Sequence, residues 1–211
     1  MTNSPPLPED GKLTLQNALL AMASAPLSRA IAFELAREGC NLHLAGIDEL
    51  VLETQADDLL DLFDVEIETY PTDIKESINC AALAMECDEA RILVIEARGI
   101  PEGEVEDLDD EDWQGAFEAN VFSSINLTRE VSECMCEQGK GIILILGSIP
   151  SKNTDFCAST VNGSLEAYAK TLDQHVSRQG VRCLFFNTSG GETEDDSANA
   201  VLQLILDQLA S

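Results

Sequence analysis

The sequence contains no apolar run approaching the ~20 residues that a membrane-spanning helix needs. Its first residues, MTNSPPLPEDGK, have neither the basic region nor the apolar stretch of a secretory signal, so we expect a cytoplasmic protein. Basic residues are also scarce, with 12 Lys and Arg against 39 Asp and Glu and a net charge of −27. This excess opposes binding to nucleic acid or to an anionic membrane. A high-salt cytoplasm, a solubility device and a basic partner surface all remain open as its reason.

The seven cysteines form no CxxC pair and have no histidine close by in the sequence. An odd number without zinc-type spacing argues against a disulfide framework and against a metal site. We therefore predict no bound metal and expect small, buried, reduced side chains. The residues concerned are Cys40, Cys80, Cys87, Cys134, Cys136, Cys157 and Cys183.

Short apolar runs alternate along the chain with segments of helical periodicity. The predicted strands are Leu15–Ala21, Asn41–Ala45, Val65–Thr69, Ile92–Ile95, Ile142–Leu146 and Val181–Phe186. The predicted helices are Pro26–Glu38, Glu49–Phe63, Ser77–Cys87, Asp109–Ala119, Ser123–Glu137, Ser159–Arg178 and Ser197–Leu209. This alternation predicts a doubly wound α/β fold, with a parallel sheet covered on both faces. We expect a single domain over residues 12–211, preceded by an arm over residues 1–11.

Five segments resemble, in order and spacing, the short-chain dehydrogenase/reductase family, whose fold is Rossmann-like. They are SRAIAFELAREGCNLHLAG, EDLDDEDWQGAFEANVFSSINLTREV, GIILILGSIPS, SLEAYAKTLDQHVSRQGVRC and SANAVLQLILDQLAS. The resemblance covers most of residues 11–210.

The family's phosphate-binding loop, TGxxxGxG, corresponds here to AMASAPLS, which begins at Ala21. Its three glycine positions hold Met22, Pro26 and Ser28, so the backbone cannot approach a pyrophosphate as glycines allow. Asp73 matches the family's adenine-contacting aspartate, although an aspartate can also serve as a turn or cap residue. The family's NNAG segment reads IEARG, and a carboxylate at Glu96 would repel a dinucleotide. The resemblance thus predicts that no nicotinamide cofactor is bound.

In the family, a tyrosine moves the proton and a lysine four residues later lowers its pKa. The resemblance places Ala158 at the tyrosine and Asn162 at the lysine, and a frame shifted by two residues gives Phe156 and Thr160 instead. Neither frame supplies a phenol or an amine. The family's serine and asparagine correspond to Ser148 and Asn120. These two residues are remnants of the catalytic set, or else a turn residue and a hydrogen-bonding residue at a helix kink.

Beyond Val181–Phe186 the family carries a substrate lid and a final strand, whereas here Glu192–Asp196 leads almost directly into Ser197–Leu209. We therefore expect a domain truncated at its C-terminus and without the lid. These losses predict a non-catalytic subunit, similar in kind to the inactive subunit of heteromeric family enzymes. Such a subunit pairs with and stabilises an active NAD(P)-dependent oxidoreductase paralogue. The alternatives are an enzyme with a repurposed pocket and different chemistry, and a small-molecule or regulatory binding module.

The family usually dimerises through the helices that correspond to Ser123–Glu137 and Ser159–Arg178. Their apolar residues outnumber what one sheet-facing side would use. We therefore predict that they bind an intact paralogue or a second copy of this chain. The predicted interface residues are Ile125, Val131, Leu165, Tyr168 and Leu172.

Overall fold

The computed structural model describes residues 11–148, 155–187 and 193–210. The strands are β1 (Asn17–Ala21), β2 (Asn41–Gly46), β3 (Ile67–Pro71), β4 (Ile92–Glu96), β5 (Gly141–Gly147) and β6 (Val181–Asn187). The helices are α1 (Pro26–Arg37), α2 (Glu49–Leu60), α3 (Ser77–Glu86), α4 (Asp110–Ala116), α5 (Ser123–Glu137), α6 (Phe156–Val176) and α7 (Glu194–Leu209). A π-helix, Phe117–Phe122, joins α4 to α5, and a 3-10 turn, Ser177–Gln179, follows α6.

The six strands form one parallel sheet in the order β3-β2-β1-β4-β5-β6. Strand β1 lies in the middle of the sheet. Strands β2 and β3 follow on one side of it, and β4, β5 and β6 follow on the other. This order is that of a Rossmann-like doubly wound fold, so the predicted fold class is confirmed. Residues 1–10 of the predicted arm and residues 188–192, where the lid was predicted to be missing, lie outside the described residues.

Alternate strand residues feed two cores, one on each face of the sheet. On β4, Leu93 and Ile95 face the core that α3, α5 and α6 cover, whereas Ile92 and Val94 face the core under α1, α2 and α7. All four side chains are at most 1% exposed. Continuous apolar strands of this kind are what a sheet covered on both faces requires.

Several element boundaries differ from the predicted ones because local hydrogen bonds set them. Strand β1 begins at Asn17 because Leu15, 86% exposed, lies in a turn with a φ of 65°. Helix α6 begins at Phe156, three residues earlier than predicted, because the Asp155 carboxylate accepts the Ala158 N–H and caps the first turn. Strand β3 lies two residues later than the predicted Val65–Thr69.

Five of the seven cysteines are buried, as predicted, whereas Cys134 and Cys136 are partly exposed. Among the described residues, no group of three His, Cys, Asp or Glu side chains is placed to hold a metal ion. In the same part of the chain, no helix is both long and apolar enough to cross a membrane.

Candidate functional site

Strands β1 and β4 are neighbours in the sheet, but the chain continues from them to opposite sides. After β1 it forms β2 on one side, and after β4 it forms β5 on the other. In open α/β sheets, ligands bind in the crevice that this reversal opens at the carboxyl ends of the strands. The segments that follow β1, β4 and β5 meet at this edge. We define the crevice by Met22, Glu96, Arg98, Asn120 and Ser148.

The turn between β1 and α1 has a left-handed residue at its start and a proline at the first position of the helix. Met22 has a φ of 63°, in the left-handed region that favours glycine. Pro26 is the first residue of α1, and the residue before it, Ala25, has no side chain able to cap the helix. The first turn of α1 therefore needs an acceptor from another part of the chain.

That acceptor is the carboxylate of Glu96, the last residue of β4. Its Oε2 accepts hydrogen bonds from the Ser28 backbone N–H at 3.1 Å and from the Ser28 hydroxyl at 2.6 Å. Ser28 is itself fully buried. Burial raises the pKa of Glu96, whereas the Ser28 bonds and the nearby Arg98 guanidinium act in the opposite direction. Sequence reasoning noted the charge of Glu96 but missed this contact.

Arg98 connects three parts of the crevice. Its guanidinium donates to the Ser24 hydroxyl at 3.3 Å, in the turn after β1. Its backbone N–H donates to the Asn120 side-chain oxygen at 2.7 Å. The cation consequently lies on the same edge of the sheet as the Glu96 carboxylate.

Asn120 lies inside the π-helix and is 2% exposed. Its amide nitrogen donates to the Ala116 carbonyl at 3.0 Å, and its oxygen accepts from Arg98. The wide turn of a π-helix leaves carbonyl groups without their usual partners, and such turns are frequent at functional sites. The structure places Asn120 at the crevice and uses both ends of its amide to hold the wide turn against the β4 end.

Ser148 follows β5, and its backbone is clamped by Asn162 of α6. The Asn162 side-chain oxygen accepts the Ser148 N–H at 3.0 Å, and its amide nitrogen donates to the Ser148 carbonyl at 2.8 Å. Gly147 makes this approach possible, because a Cβ there would lie 3.0 Å from the Asn162 oxygen and 2.7 Å from the Phe185 ring. The residue at the family's lysine position thus fixes the end of β5, a role that sequence reasoning missed.

No phenol replaces the family's tyrosine at the crevice, since both tyrosines of the chain are engaged elsewhere. Ala158, at the family's tyrosine position, is 2% exposed and packs in the core. The Tyr168 hydroxyl lies 2.9 Å from that of Thr128, between α6 and α5. The Tyr70 hydroxyl, on the edge strand β3, donates to the Glu68 carboxylate at 2.5 Å.

Asp73 follows β3 and makes local contacts only. Its carboxylate accepts the Lys75 N–H at 3.0 Å and lies 3.4 Å from the Lys75 ammonium. These contacts are those of a turn residue. The predicted adenine contact stays a prediction.

The predicted interface residues divide into two groups. Val131 and Leu165 are 3% and 0% exposed and pack in the chain's own core, so they are not on the surface as predicted. The periodicity of α5 and α6 showed which residues are apolar but not which side of each helix faces the sheet. Ile125, Tyr168 and Leu172 are partly buried, and for them the interface remains a prediction.

The pattern of the short chain dehydrogenase family matches residues 16–199. The chain therefore belongs to this family, as the resemblance in the sequence predicted. It is similar to the 2,3-dihydro-2,3-dihydroxybenzoate dehydrogenase of Bacillus subtilis (strain 168), with 26% identity over 194 residues, 85% of this chain and 70% of that protein. It is also similar to the 2-keto-3-deoxy-L-fuconate dehydrogenase of Xanthomonas campestris pv. campestris, with 25% identity over 187 residues, 87% of this chain and 61% of that protein.

A solved structure of a short chain dehydrogenase from Mycobacterium smegmatis has the same fold. It superposes with a TM-score of 0.84 and covers 94% of this chain and 89% of that one, at 18% identity. Identity at this level supports the shared architecture and no detail of the site.

The relatives contradict the prediction of a non-catalytic subunit. Proteins that match most of the chain are named as dehydrogenases, so the prediction that the chain is not an enzyme is wrong. The prediction extended the loss of particular residues to the loss of all chemistry. The correspondence of Ala158 and Asn162 to the family's tyrosine and lysine stays a prediction, and it concerns the usual proton donor alone.

Proposed function

We propose that this chain is an oxidoreductase that acts on a small compound bearing a hydroxyl or carbonyl group. The observation that carries the proposal is the family match over residues 16–199, together with relatives named as dehydrogenases. The crevice supports it, because Ser148 and Asn120 are held at the carboxyl edge of the sheet by their hydrogen bonds. Ligands of doubly wound folds bind at this edge.

The nicotinamide dinucleotide that the fold family implies does not fit the phosphate end of this crevice. Ser28, at the helix N-terminus where a phosphate would bind, already donates both its hydrogen bonds to Glu96. Met22 adds a side chain where the family has a glycine. The electron carrier of the reaction is therefore left open, and the experiment compares several carriers.

Ser148 is the residue we assign to the substrate's oxygen. Its backbone is fixed on both sides by Asn162, so the start of its side chain has a defined position at the end of β5. A neutral hydroxyl can donate a hydrogen bond to a carbonyl oxygen or accept one from an alcohol. Ala158 has no proton to transfer, so the proton of the reaction must come from a different group from that of the family.

The test is turnover of the purified chain against a panel of small alcohols and ketones, with both nicotinamide dinucleotides and with artificial electron carriers. We expect measurable turnover with at least one pair, and a loss of about tenfold in kcat/KM for Ser148→Ala, because one hydrogen bond to the reacting oxygen contributes roughly that much. The matched control is Ser164→Ala, since the exposed Ser164 hydroxyl only bonds back to Thr160 within α6.

Two results would overturn the proposal. One is a folded chain with no turnover above background for any pair. The other is an equal kcat/KM for Ser148→Ala and Ser164→Ala, which would place the reaction away from the end of β5.

A further inference from the structure

We propose that Glu96 is a built-in anion that occupies the N-terminus of α1 and keeps a ligand phosphate from binding there. The inference concerns what fills this part of the crevice and does not depend on the proposed reaction. It rests on the position of Glu96 at the end of β4, on its two bonds to Ser28 and on the substitutions in the turn after β1.

The N-terminus of α1 has the donors of an anion site. Each helix begins with backbone N–H groups that lack a helical partner, and the aligned peptide dipoles place partial positive charge there. Phosphates bind to such helix ends in doubly wound folds. In α1, however, Pro26 supplies no N–H, and the side chain of Ala25 cannot cap the helix. The N–H and the hydroxyl of Ser28 both donate to one acceptor, the Glu96 Oε2 atom.

Glu96 meets the requirements of the bound anion. A partly buried carboxylate needs hydrogen bonds to replace the water that it loses, and Glu96 receives both an N–H and an O–H donor from the fully buried Ser28. Arg98 contributes a positive charge nearby. The chain itself therefore already places a negative charge on the Ser28 donors of this helix end.

A phosphate could reach the same donors only by displacing Glu96. Two like charges that share one set of donors repel each other strongly in a partly buried site. Met22 stands where the family has a glycine, and its side chain packs against the core under α3, α5 and α6. Removal of the Glu96 side chain should therefore open a phosphate site that the native chain lacks.

The experiment compares thermal unfolding with and without inorganic pyrophosphate, at constant ionic strength, for the native chain and Glu96→Ala. We expect pyrophosphate to leave the Tm of the native chain unchanged. Glu96→Ala should unfold at a lower temperature and regain part of that loss as pyrophosphate fills the vacated donors. Calorimetry with ADP gives the same comparison as a dissociation constant.

The matched control is Glu34→Ala in the same helix. Glu34 is 7% exposed and is bonded to Arg37 at 3.0 Å, far from the first turn. Its removal should also lower the Tm, but pyrophosphate should not restore it. A general effect of the anion on stability would raise the Tm of both variants alike.

Glu96→Gln provides the second variant, in case Glu96→Ala does not fold. Its amide oxygen still accepts from Ser28, but the like charge is gone, so the dissociation constant for ADP should fall at least about tenfold below that of the native chain. The inference is overturned if pyrophosphate stabilises the native chain as much as it stabilises Glu96→Ala. It is equally overturned if the folded Glu96 variants gain no affinity.

Discussion

Helices α1 and α7 begin in contrasting ways. Helix α7 carries its own cap, because the Thr193 hydroxyl accepts the Asp196 N–H at 3.1 Å and the Asp196 carboxylate reaches back to Thr193. Helix α4 does the same with Asp109 and Asp112. Helix α1 has no local cap and takes its acceptor from Glu96, 68 residues further along the chain.

The difference lies in what each cap holds together. A capping box joins residues three positions apart and stabilises one helix end at the surface. The Glu96 carboxylate joins α1 to the end of β4, so that it fixes one wall of the crevice relative to the other. Loss of a local cap should loosen one turn, whereas loss of Glu96 should disturb the place where two elements meet.

The largest expected effect is therefore that of Glu96→Ala on the free energy of unfolding. It removes two charge-assisted hydrogen bonds and leaves the buried Ser28 without an acceptor, which costs about 2–3 kcal/mol. Urea unfolding measures it. A cost no greater than that of a local cap would mean that the remote acceptor Glu96 stabilises the fold no more than a capping box does.

Thr193→Ala should have a smaller effect, about 1 kcal/mol, because it removes one exposed capping hydroxyl. Asp109→Ala should cost a similar amount at the start of α4. The same urea unfolding experiment compares both variants with Glu96→Ala. Costs well above that of Glu96→Ala would mean that the local caps matter more to the fold than the remote one.

Leu15→Gly should stabilise the chain by up to about 1 kcal/mol. Leu15 has a φ of 65° and is 86% exposed, so glycine relieves the strain of a left-handed residue without loss of packing. Met22→Gly relieves the same strain but removes a side chain that packs against the core, and its gain should be smaller or reversed. Equal gains would show that the Met22 side chain contributes no packing.

The smallest expected effect is a pH dependence. It concerns the difference in the free energy of unfolding between the native chain and Glu96→Gln. Burial raises the pKa of Glu96 above its usual 4.5, so the native fold holds this proton more tightly than the unfolded chain does. The stability that Glu96 contributes relative to glutamine should therefore be greatest below about pH 4.5 and fall as the pH rises through the raised pKa. Urea unfolding between pH 4 and pH 7 measures this, with Glu53→Gln as an exposed reference.

The order of the elements could be predicted from the sequence because strands such as β4 and β5 are unbroken apolar runs and the helices between them have a clear period. The capping boxes of α4 and α7 were not predicted, and the predicted last helix began at Ser197 although Thr193 and Asp196 have the spacing of a capping box. The Glu96–Ser28 contact and the Asn162 clamp on Ser148 could not be predicted in this way. Each depends on the relative position of a strand end and a helix, which only the packed sheet defines.

The π-helix Phe117–Phe122 changes which side of the chain faces the core between α4 and α5. Each residue advances an α-helix by about 100°, so one extra residue in a turn rotates everything before it by that angle relative to everything after it. Because of this rotation, the periodicity of α5 cannot be continued into α4, where Trp113 packs against the core. Deletion of Glu118 would remove the extra residue, so that α4 and α5 would form one continuous α-helix with a single periodicity. Because α5 is anchored by Leu127 and Met135, the segment that turns away would be α4, and the Asn120 bond to the Ala116 carbonyl would be lost with it.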